Sequence, residues 1–186
     1  ETPLVLGATF ALRFSKFFIF IYAAKILGPS EWGLWTILLI FSMYFSHFHM
    51  GLINAFNREG TLYLDDKNYF QYLSKNIFSG QIILLFLFSL ALFFTMNFSI
   101  ELNKTTLILF LVYFIVSQLY YFIEIYFKVQ IDFIKIAYFQ IFHAVLLPLV
   151  SFFLINEYSL NGFLLSLLLP PIVLVLININ VLSNLI

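Results

Sequence analysis

The chain has 186 residues, of which 63% are hydrophobic and only 10% charged, with a mean hydropathy of +1.03; a soluble globule cannot hide that much apolar surface. A formal net charge of zero leaves no basic surface to draw in nucleic acid. The absence of cysteine excludes disulfides, thiolate nucleophiles and Cys-ligated metal sites.

At about 20 apolar residues per bilayer crossing, the length allows roughly six spans and short loops. Apolar runs at about 4–25, 31–53, 76–96, 105–127, 134–155 and 160–182 each suffice for one helix. The expected fold class is therefore all-α integral membrane with six transmembrane helices. The separators "GPSE", "NREGTLYLDDKNYFQYLSK", "NFSIELNK", "KVQIDF" and "NEYS" carry turn or charge signals too polar for the hydrocarbon region. Glu1 is not followed by a basic n-region or a small-residue cleavage site, so no signal peptide is expected, and whether the chain is whole or a piece of a longer protein is left open.

The first separator concentrates several signals in "AAKILGPSEWGLW". Gly28 supplies a left-handed conformation that ends a helix, and Pro29 prevents continuation. Ser30 can cap the next helix, with Glu31 at its positive dipole end. Trp32 and Trp35 share one helical face, where amphipathic indoles are expected to anchor the turn at the headgroups. Orientation follows from loop charge. Arg58, Lys67, Lys75, Lys128 and Lys135 lie in the loops after the second and fourth spans, against Lys25 and Lys104 on the other side. This bias places both ends of the segment in the cytoplasm.

Charges inside spans are expensive and usually face a cavity or a partner. Arg13 lies about 18 Å from Lys25 at 1.5 Å per residue, near mid-membrane, and Lys16 shares its face at i, i+3. The two cations could meet an anionic headgroup; alternatively the first helix starts near Arg13 and the pair sits at the inner interface. Gln118, Gln140 and His143 are similarly deep, with Pro148 able to bend the fifth span. They could hydrogen-bond a polar ligand, or serve as polar contacts between helices. Glu124 and Lys128 form a favourable i, i+4 pair at the end of span four. His47 and His49 point to different helix faces, so no metal site is expected, and Asp65-Asp66-Lys67 reads as a solvated loop. No acid lies mid-span in this reading.

The order of residues in "AAKILGPSEWGLWTILLIFSMYFSHFHMGLINAFNREG" resembles the first two helices of the polysaccharide biosynthesis, or O-antigen repeat-unit, flippases of the multidrug/oligosaccharidyl-lipid/polysaccharide exporter superfamily. The matching positions are Lys25, Leu27-Gly28-Pro29, Glu31, Trp32 and Gly33, then His49-Met50-Gly51-Leu52 and Arg58, with a weaker echo at residues 126–141. His49 stands where the family carries an acid. The resemblance implies one six-helix N-terminal lobe, residues 1–186, of a two-lobe exporter-type fold, with the second lobe absent or supplied by another subunit. It further implies a multi-pass protein of the bacterial cytoplasmic membrane that flips an undecaprenyl-pyrophosphate-linked oligosaccharide for surface polysaccharide synthesis. The substrate-binding candidates are Arg13, Lys16, Gln118, Gln140 and His143; no catalytic residue, metal or cofactor is expected. The alternatives are a cation-coupled drug exporter of the same superfamily and a membrane-embedded glycan-assembly enzyme or subunit, which would need a cluster of acid, base or nucleophile.

Overall fold

The computed structural model describes residues 2–46, 51–99 and 103–185, and the side chains of 3–44, 51–94 and 103–185. Its helices are α1 (Thr2–Ser46), α2 (Leu52–Leu62), α3 (Lys67–Ser99), α4 (Lys104–Val129), α5 (Phe133–Ile177) and α6 (Ile179–Ser183). No strand occurs among the described residues. Four stretches, Pro3–Tyr44, Lys67–Phe94, Lys104–Val129 and Phe133–Ile177, are helical, long and apolar enough to cross a membrane. Large apolar side chains face outward in a way that only lipid or another membrane body would tolerate, with Phe10 69% and Phe153 75% exposed.

The two longest helices fold back on themselves. Phe20 and Trp35 are 15 residues apart, about 22 Å along a straight helix; their ring centroids lie 6.3 Å apart. The reversal occurs at Gly28, whose φ of 69° and ψ of 178° leave the helical region, with Pro29 directly after it. A positive φ there suits glycine, and a proline is best tolerated in the first turn of a helix, so "GP" closes one limb and opens the next. In α5 the break is at Ser159, with φ 49° and ψ −127°, and not at Pro148, which stays within the helix. The returning limb presses Gly162 against the backbone of Leu154, a contact that leaves no room for a Cβ.

The two elbows lie side by side. Asn156 donates to the Tyr22 hydroxyl at 2.8 Å, and the Tyr22 and Phe152 rings meet at 4.8 Å. The Leu160 backbone N–H donates to Glu31 Oε2 at 3.2 Å, so Glu31 caps the second limb of α5 as well as lying in the first turn of its own. At the same end the Thr106 hydroxyl donates to Asn161 Oδ1 at 2.8 Å and brings in the start of α4. Trp35, expected at the headgroups, is instead 1% exposed and packs edge-on against Phe163 at 4.9 Å. Together with Ile19, Leu38, Phe110 and Leu147 it forms the core that welds α1, α4 and α5. The large area an indole removes from water or lipid outweighs its preference for the interface once a partner helix lies alongside.

A second core gathers Ile53, Phe56, Phe78, Phe122, Phe127 and Val129 around α2, α3 and α4. Within α2, Ile53, Phe56 and Gly60 are buried at i, i+3 and i+7 while Arg58 faces out. The segment that reads as a polar separator is thus partly an amphipathic helix, and α3 begins at Lys67, ahead of the apolar run at 76. Asp66 Oδ1 accepts from the Asn68 and Tyr69 N–H groups, and Asn103 Oδ1 from that of Thr105, each at 3.1 Å, which caps α3 and α4.

Candidate functional site

A cleft of about 520 Å³ opens between the two folded hairpins and α4. Its wall on α4 is a stripe at three- and four-residue spacing: Tyr113, Ser117, Tyr120 and Glu124, flanked by Gln118 and Tyr121. Lys16 and Phe20 enter from the first limb of α1 and Ser42 from the second; His143 comes from the first limb of α5, and Leu167 and Pro171 from its return. The cleft therefore exists only because α1 and α5 reverse.

Lys16, Gln118 and His143 are brought together here, as three of the five residues singled out from the sequence. Gln140 stands behind the wall. Its Oε1 accepts from the Thr9 hydroxyl at 2.7 Å, and its Nε2 donates to Glu124 Oε1 at 2.9 Å, a chain that ties α1, α5 and α4. Arg13 is exposed on the outer face of α1 among Phe10, Phe14 and Phe17, outside the cleft. An i, i+3 pair is separated by about 60° around a helix, enough to send the two cations to different surroundings when the helix face is crowded.

Glu124 is the residue that local reading misplaced. No ion pair among the described residues joins it to Lys128; it is half-buried, bonded to Gln140, and lies within electrostatic reach of Lys16. The signal was present as the spacing Tyr113–Ser117–Tyr120–Glu124, a polar line along an otherwise apolar helix. Two groups deep in the cleft have no hydrogen-bond partner among the described residues: the Tyr120 hydroxyl and His143 Nδ1, on residues 8% and 4% exposed whose rings meet edge-on at 5.9 Å. Buried polar atoms are normally satisfied, so these two await a ligand or water.

His47, His49 and Met50 lie outside the described residues. Among those described, no group of three or more His, Asp or Glu is placed to hold a metal. At the opposite end of the body from the elbows, a second cleft of about 790 Å³ is lined by Lys67, Gln71, Tyr126, Gln130, Asp132 and Asn184. There Asp132 caps α5 by accepting from the Lys135 N–H and pairs with its ammonium at 2.7 Å. This Lys135 side-chain bond, chiefly, holds the Asp132 carboxyl below its ordinary range. Comparison with protein-family models, curated proteins and solved structures yields no match.

Proposed function

We propose that the chain is one lobe of a transporter that flips a lipid-linked oligosaccharide, an undecaprenyl-pyrophosphate carrier in the related family, across the bacterial cytoplasmic membrane. In this reading the limbs of α1 and α5, with α3 and α4, make six crossings. The elbows at Gly28 and Ser159 face outward and both ends of the segment face the cytoplasm. The observation that carries the reading is the polar cleft of Lys16, Gln118 and His143 inside an otherwise apolar body. Lys16 is 12 residues from Gly28, about 18 Å below the elbow, and Glu124 about 27 Å along α4 from Thr106. With the elbows outward, both distances support a cleft nearer the inner leaflet, the side on which this reading loads the passenger.

No covalent step is needed: polar groups offset the cost of carrying a headgroup through hydrocarbon, and rocking against a second lobe or subunit exposes it to each side in turn. Arg13 supports a second body, because a guanidinium among exposed phenylalanines is unfavourable against lipid and is relieved by a covering surface. Replacing Lys16 by Ala in the full-length protein of the source cell should lower surface glycan roughly tenfold or more, the worth of one charged hydrogen bond of about 1.5–3 kcal/mol. Lipid-linked precursor should accumulate while the protein persists in the membrane. Normal glycan display with the variant present at wild-type level would overturn the reading.

One observation favours a second reading, a cation-coupled exporter: Glu124 supplies the cleft carboxylate that the sequence seemed to lack. Loss of gradient-driven drug efflux in Glu124→Gln, with glycan display intact, would select it.

A further inference from the structure

The charges of the cleft are balanced. Lys16 stands on one wall and Glu124 on another, both half-buried. Among the described residues the ion pairs at 4.0 Å or less are Arg58–Glu59 and Lys135–Asp132, so the two are not joined. Arg13, which would tip the balance, lies on the outer face. Gln140 holds one oxygen of the Glu124 carboxylate from behind and leaves the other for the cleft. In the same cleft are the unpartnered Tyr120 hydroxyl and His143 Nδ1, on residues more than nine-tenths buried. A purely anionic group entering here gains Lys16 but meets Glu124; a purely cationic one has the reverse problem. A ligand that carries both charges answers both walls.

We infer that this cleft is a receptor for a zwitterionic group, with a primary ammonium against Glu124, an anionic phosphate or carboxylate oxygen against Lys16, and its oxygens accepting hydrogen bonds from Tyr120 and His143. The inference rests on the transporter reading for what the cleft carries, and it names the passenger's chemistry: an amino group close to an acidic one. Two sources share that chemistry, an amino-sugar phosphate of a glycan and an ethanolamine phosphate headgroup of a lipid.

The test is binding to the purified full-length protein, followed by tryptophan fluorescence, since Trp35 touches Phe20 and Tyr113, both on the cleft wall. Glucosamine 6-phosphate and phosphoethanolamine should bind at least about tenfold more tightly than N-acetylglucosamine 6-phosphate, glucosamine or inorganic phosphate, the worth of one charged contact. Glu124→Gln should bring glucosamine 6-phosphate down to the level of its N-acetyl form, and Lys16→Gln down to that of glucosamine. The exchange Lys16→Glu with Glu124→Lys should recover part of the preference, which separates loss of charge from loss of fold. With the site present, glucosamine 6-phosphate binding that weakens in phosphatidylethanolamine vesicles relative to phosphatidylcholine vesicles assigns it to the lipid headgroup; equal binding assigns it to the glycan. Inorganic phosphate binding as tightly as the zwitterions, or no probe binding to the folded wild type, would overturn the inference. Neither result touches glycan display by Lys16→Ala, so the flippase reading stands or falls separately.

Discussion

Glu31 lies in the first turn of one hairpin limb and caps the other, so its removal should loosen both elbows. In Glu31→Ala the Leu160 N–H, on a residue 5% exposed, loses its acceptor at 3.2 Å. A lost cap costs about 0.5–2 kcal/mol, and a hydrogen bond to a charged group about 1.5–3 kcal/mol. Glu31 is half-buried, so solvent screens part of its charge and the overlap of the two ranges, about 2 kcal/mol, is the expected loss. For a chain of this size each kcal/mol moves the midpoint by about 2–4 °C, which gives a drop of about 4–8 °C. Glu31→Gln keeps a carbonyl acceptor in place and should fall by less than about half as much. The assay is thermal unfolding in detergent read by Trp32 and Trp35, which lie next to the elbow. Equal shifts for Ala and Gln, or none for Ala, would refute the claim that Glu31 acts by accepting from Leu160.

Gly162→Ala should be among the most damaging single-methyl changes in the chain, because the new Cβ meets the Leu154 backbone, which cannot rotate away. An overpacking cost of about 1–3 kcal/mol, at its upper end, predicts a midpoint lowered by about 6–12 °C, measured in the same melt; an unchanged midpoint would show that the elbow opens without penalty. Asp132→Ala, at the end of the body opposite the elbows, should cost about 1 kcal/mol near neutral pH through the lost α5 cap. Since the folded carboxyl titrates below its ordinary value of about 3.9, its contribution is complete above that value and fades as pH falls through the depressed range. Melts of wild type and variant should therefore converge at acid pH, and a gap that persists there would sink the assignment.

Much of the fold was legible because hydrocarbon makes strong demands. Long apolar runs became helices, and "LGPSE" became a reversal for the reasons its residues suggest, since a positive-φ glycine followed by proline has few other uses. What local reading missed depends on partners far along the chain. Trp35 has the composition of an interface anchor, yet Phe163 and Phe20 bury it. Glu124 has Lys128 one turn away, yet bonds Gln140 because α5 passes beside it. Arg13 and Lys16 are neighbours in sequence and share a rough helix face, but the returning limbs of α1 and α5 enclose only Lys16. Periodicity reports the angle of a side chain around its own helix; which neighbour fills that angle is decided by the hairpins.

The bonding around the cleft separates two kinds of polar residue. Thr9, Gln140 and one oxygen of Glu124 satisfy one another across three helices. Gln140, singled out as a substrate contact, is thereby committed on both ends of its amide to holding the carboxylate in position. Tyr120 and His143 are in the opposite condition, buried and without a hydrogen-bond partner among the described residues. A buried polar group left unsatisfied costs about 1–3 kcal/mol, which a ligand that bonds it recovers. A binding step that supplies two missing hydrogen bonds while leaving the internal chain intact gains affinity without dismantling the wall that shapes the site. That division makes Gln140→Ala a change that should weaken both stability and binding, whereas Tyr120→Phe should relieve a buried hydroxyl and weaken binding alone.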